Sequence, residues 1–149
     1  MSDRAQFNQK LDSLFHTFFM GLEHWVKEFE HFAHRRKEAS AISNSFLDRH
    51  AKILIHAFDE LLVALTEEYE DLVKENLQLT TAEKKQDLYT KMIHFKSQGT
   101  HLLRRINVKS ELLLKDSELH PFSHDVQSRL KELSTFSYDD LIHKLKSEK

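Results

Sequence analysis

The stretch FNQKLDSLFHTFFMGLEHWVKEFEHF, residues 7–32, decides the fold. Its apolar residues recur as Phe7, Leu11, Leu14, Phe18, Leu22, Trp25, Phe29 and Phe32, in steps of three and four throughout. That spacing returns to one face of an α-helix at every turn, whereas a half-buried strand needs strict alternation. Phe15, Phe19, Val26 and Ala33 widen one flank. The segment therefore predicts one long amphipathic helix with an aromatic seam.

The same period continues outward from it. ASAISNS at residues 39–45 interrupts the pattern, and Ser45 followed by Asp48 has the form of a capping box, so a second helix is expected to start there. It carries Phe46, Leu47, Leu54, Ala57, Phe58, Leu61, Leu62, Leu65, Tyr69 and Leu72, and between Ile53 and Leu65 it is apolar on almost every side. A helix of that kind is expected to touch several neighbours and to be the most buried element. Thr80 and Glu83 form a second capping box, opening a third helix with Leu88, Met92, Phe95, Gly99, Leu102, Leu103 and Ile106 on one face. That pattern ends before His120, because the residue preceding Pro121 disfavours helical geometry. A fourth helix reads from Ser123, with Val126, Leu130 and Leu133 inward, and Ser137 with Asp140 starts a short fifth one.

Composition agrees. The chain has 149 residues, enough for one domain with a core of its own, and holds only two Gly and one Pro, too few for a turn-rich β fold. The expected architecture is all-α: a single domain over 1–149, an elongated antiparallel up-down bundle of three long helices, with two short C-terminal helices forming a broken fourth near residues 134–137. With 40% hydrophobic and 31% charged residues, disorder is not expected. Cysteine is absent, which suits a reducing compartment, and no export signal or uninterrupted apolar span is evident, so a cytoplasmic protein without membrane contact is expected. Residues 41–80 hold three Lys/Arg against eight Asp/Glu, and residues 81–119 hold eight against five. This asymmetry predicts charge complementarity between adjacent second and third helices.

Eleven histidines raise the question of a metal. His24, Glu28, His31 and His34 fall within three turns of the first helix, but opposite its seam. A di-iron carboxylate bundle projects two Glu-x-x-His elements inward, and here one copy, Glu28 to His31, faces outward. A solvated face without cofactor is expected. His50 lies within the apolar stripe of the second helix and is expected to be a partly buried structural histidine. A metal-binding bundle using His24, Glu28, His31 and His50 stands as a third-ranked alternative.

RHAKILIH, from Arg49 to His56, resembles the R-x(4-6)-H signature of the HEPN ribonucleases, small all-helical domains in which Arg and His from two protomers meet and cleave RNA without metal. The resemblance covers eight residues and the helical class, and it implies Arg49 and His56 as the catalytic pair. Elsewhere the basic residues alternate with acids, leaving no continuous stripe for nucleic acid, and no Gly-rich phosphate loop occurs. The leading expectation is a non-catalytic protein-protein interaction or regulatory bundle, binding another protein or a copy of itself. Ile55, Val73, Ile93, Val108 and Leu112, apolar residues off the seams, are its expected exposed patch.

Overall fold

The seam of residues 7–32 is the axis of the molecule. In the computed structural model, which describes residues 3–38, 44–75, 82–115 and 122–146, Phe7, Leu11, Leu14, Phe18, Leu22, Trp25, Phe29 and Phe32 are all buried. They lie on α1 (Asp3–Glu38), followed by α2 (Asn44–Glu75), α3 (Ala82–Lys115), α4 (His124–Thr135) and α5 (Tyr138–Lys146), an all-α bundle. None of the described helices is long and apolar enough to cross a membrane.

α2 runs antiparallel to α1. The Trp25 indole N–H donates to the Leu54 carbonyl at 2.8 Å, and the Phe32 ring meets His50 edge-on at 4.8 Å. Trp25 also stacks on Phe29 and packs against Phe58, so its polar atom is satisfied while its ring fills the α1–α2 contact. α3 lies on the other side of α1 and runs parallel to it: Arg4 pairs with Asp87, Asp12 with Lys91, Phe15 packs on Phe95, and Glu30 pairs with Arg105. Gly99 makes that approach possible, since a Cβ there would stand 2.9 Å from the Phe19 ring.

The broken fourth member completes the ring. α4 is capped by the Ser123 hydroxyl, which accepts from the Val126 N–H, and it buries Val126, Leu130 and Leu133. At the break, the Asn107 side-chain amide donates to the carbonyl of Leu133, which also accepts the Phe136 N–H, and to that of Phe136, where the interruption ends the run of intrahelical bonds. Ser137 and Asp140 then cap α5 reciprocally: the Ser137 N–H donates to the Asp140 carboxylate at 2.9 Å, and the Asp140 N–H to the Ser137 hydroxyl at 3.2 Å. The Tyr138 hydroxyl donates to the Met92 carbonyl, tying α5 to α3, and burial pushes this phenol up to about 12.

One expectation is corrected by this arrangement. The order around the bundle is α1, α2, α4–α5, α3, so α2 and α3 face one another across the diagonal and are not neighbours. Their opposite charge excess therefore does not join them; cross-helix ion pairs link α1 to α3 and, through Asp59 with Arg129, α2 to α4. α2, expected to be the most buried element, buries about the same share of its described residues as α1. Its apolar residues outnumber the positions its neighbours cover, and Phe46, Ile53 and Val63 lie in solvent.

α2 also starts at Asn44, before the expected cap. The Asp48 carboxylate reaches across the bundle instead, accepting the Ser123 backbone N–H at 2.7 Å at the start of α4. Burial raises the Asp48 carboxyl, but the Ser123 N–H and Lys52 outweigh it, and the group is held below its ordinary value. The Thr80–Glu83 cap and His120 lie, through Thr80 and His120, outside the described residues.

Candidate interaction surface on the second helix

α1 covers one flank of α2, taking Leu54, Leu61 and His50. α4 and α5 cover another, where Phe58 meets Phe136 and Asp59 pairs with Arg129. The remaining third of the helix surface carries Phe46, Arg49, Ile53, His56, Glu60, Val63 and Glu67, again in steps of three and four, all exposed. Ile53 is 67% exposed, Val63 53% and Phe46 44%. Ala57 and Ala64, also exposed, add apolar surface along the same line without standing above it. The result is a stripe in which apolar and charged side chains alternate, with Arg49 and His56 towards the helix start and Glu60 and Glu67 towards its end.

The sequence pattern located this stripe only in part. Ile55, offered as an exposed contact residue, is 7% exposed and belongs to the core, and Val73 is half-buried against it. Ile53 and Ile55 differ by two positions and so point to nearly opposite sides of a helix; which side is inside depends on where α4 sits. Ile93, Val108 and Leu112 are exposed on α3. Ile93 and Val108 stand roughly 22 Å apart along the axis, and the exposed residues between them include Lys96, Thr100 and Arg104, so they form no single patch.

Arg49 and His56 share the exposed face of α2, two turns or about 10 Å apart along the axis. The His56 Nε2 lies 3.0 Å from the Glu60 carboxylate, one turn on. One chain thus does not aim both groups at a single phosphodiester, and a site built from them would draw one from each of two copies.

His24, Glu28 and His31 are exposed along α1, whereas His50 is half-buried, turned against the rings of Phe32 and Phe46. The structure therefore does not bring the four together, and among the described residues no group of three or more His, Asp or Glu is placed to hold a metal ion. Shallow grooves flank α1. One, against α2, is lined by Lys10, Ser13, Glu68 and Asp71; the other, against α3, by Asp12, His16, Lys91 and His94, where Lys91 and Asp12 pair at 2.7 Å. A cleft at the α4–α5 break has an apolar floor of Phe58, Leu62, Leu133 and Phe136 beneath Arg129, Glu132, Asp140 and His143.

Comparison of the chain with protein-family models, with curated proteins and with solved structures finds no match.

Proposed function

We propose that this chain is a non-catalytic interaction module, a helical bundle that receives an amphipathic helix on the outward face of α2. The observation that carries the reading is the alignment of three large apolar side chains, Phe46, Ile53 and Val63, on one exposed helix face. Single exposed apolar residues are ordinary, but a row at helical spacing is the complement of a helix that presents anchors in the same steps. The charged residues between them would fix orientation more than add affinity. The cysteine-free sequence suits a reducing compartment, and we place the protein in the cytoplasm, which cell fractionation tests.

The test is a pair of substitutions, Ile53→Glu and Val63→Glu, made where the side chain touches little of the core. A partner retained by the parent chain should be lost by both variants while their thermal unfolding stays within a few degrees of the parent. Retention by both variants would remove α2 from the reading.

A ribonuclease is the second reading, favoured by the placement of Arg49 and His56 on one exposed face. It requires that His56→Ala abolish RNA cleavage by the folded protein; RNA left intact by the parent chain ends it.

A further inference from the structure

The α2 stripe can be asked what sequence would fit it best, and its own order of residues supplies an answer. We propose that the occupant of the α2 face is a second copy of this chain, its α2 lying antiparallel to the first about a two-fold axis at the level of Phe58. This rests on the reading of that face as a docking surface and names what docks there.

The stripe positions follow the alternating three and four spacing of a coiled-coil seam, and in antiparallel pairs each such layer meets its counterpart from the other end. Folding the stripe back on itself at residue 58 sets Ile53 against Val63 of the other copy, Arg49 against Glu67, and His56 against Glu60. Symmetry makes each pairing occur twice. Every apolar residue between the two outer charges then meets an apolar one, and every basic residue meets an acid, with Phe46 facing Glu70 at each end. Other registers lose this. Sliding one heptad towards the helix start places Ile53 opposite His56, and sliding the other way places Arg49 opposite Lys74. A parallel pair sets Arg49 on Arg49 and Glu67 on Glu67. The stripe's basic start and acidic end therefore select both direction and register.

α3 lacks this property. Its exposed face carries Lys96, Arg104 and Lys115 with Glu111 as the acid among them, so a copy of itself would bring like charges together. The α2 seam from Arg49 to Glu67 is about 27 Å long, and one helix pair of that length is smaller than the interface of an obligate dimer. Association is accordingly expected to be reversible and to depend on concentration.

Sedimentation velocity over a wide concentration range tests the proposal. A monomer–dimer equilibrium is expected. Ile53→Glu, Arg49→Glu and Glu67→Arg, each folded by circular dichroism, should weaken it by about tenfold or more, and combining Arg49→Glu with Glu67→Arg should restore it to within about threefold of the parent. Because the natural chain has no cysteine, register can be read covalently as well. On mild oxidation, Ile53→Cys mixed with Val63→Cys should give a disulfide-linked heterodimer. Neither variant should link to itself, since like positions lie about 15 Å apart along the axis, beyond disulfide reach. A monomer at every concentration, open-ended oligomers, a double reversal that stays weak, or self-linking of Ile53→Cys overturns the antiparallel pair. A strictly monomeric chain that still loses a foreign helix on Ile53→Glu overturns the self-pairing alone; one that binds no helix before or after the substitution overturns the docking face too.

Discussion

α1 and α2 are of similar length and both carry more than enough apolar residues to line a core, yet they dispose of them differently. Among the described residues of α1, Met20 is the large apolar side chain left in solvent, whereas α2 leaves Phe46, Ile53 and Val63 there. The cause lies in the neighbours. α1 is wedged between two helices of 32 and 34 residues, while α2 has α1 on one side and only the 12 and 9 residues of α4 and α5 on another. Apolar content states how much surface a helix would gain by burying; the number and length of its neighbours state how much it does bury. The surplus on α2 is not demanded by this fold.

The largest loss of stability is expected at Trp25. Truncating it to alanine empties the contact with Phe29 and Phe58 and leaves the Leu54 carbonyl without its indole donor. A loss of about 3–5 kcal/mol is expected from urea unfolding. The two glycines of the bundle should respond in opposite directions. Gly99→Ala drives a methyl group into the Phe19 ring, which is itself packed against Phe95, and should cost about 1–3 kcal/mol. Gly21→Ala meets only the end of the Leu61 side chain, at 2.8 Å from its Cδ1; Leu61 is half-buried and can turn aside. The helix-propensity gain of up to about 1 kcal/mol should then make it neutral or stabilising in the same measurement.

Asn107→Ala probes the short flank on which α2 depends, since it removes the donor to two carbonyls at the α4–α5 break. About 1–2 kcal/mol should be lost, with earlier hydrogen exchange in α5 than in α4. Acid acts more gently. Arg105 holds the Glu30 carboxyl below its ordinary value, and Asp48 is held low by the Ser123 N–H and Lys52 against the opposing effect of burial. A carboxyl depressed in the folded state contributes stability above its unfolded pKa and loses it as pH falls through the folded one. The urea midpoint should therefore be level from about pH 7 to 5 and decline below about pH 4, with a shallower decline in Asp48→Asn. Smallest of all is Ile53→Ala, expected to shift stability by about 0.5 kcal/mol or less. A loss of several kcal/mol there would show that the outward face of α2 is covered within the folded chain.

Much of this was legible in residue spacing. The seam of α1 could be read because its steps never leave one face, and the break in the fourth helix because Ser137 and Asp140 spell a reciprocal cap. Spacing on one helix does not name the helix that packs against it, and α2 shows the consequence. Between Ile53 and Leu65 its apolar residues surround the axis, so the wheel allows either Ile53 or Ile55 to be inside. The choice falls to α4, which the Ser123–Asp48 and Arg129–Asp59 contacts draw onto the Ile55 side. Both contacts join residues at least 70 positions apart, and no local pattern announces them. The exposed stripe became visible only once that side was known.

The diagonal placement of α2 and α3 bears on how the chain reaches this state. The Trp25–Leu54 contact closes over 29 residues, but those that seat α3 beside α1 join residues 75 to 83 apart. Loop closure thus favours an α1–α2 hairpin as the early event, and α3 must then find the far side of a helix already engaged. Such a hairpin would hold the aromatic seam of α1 half uncovered while it waits. The parallel pairing of α1 with α3 makes half of that aromatic seam the last surface to be closed, and the unfinished chain is most vulnerable to aggregation at that step.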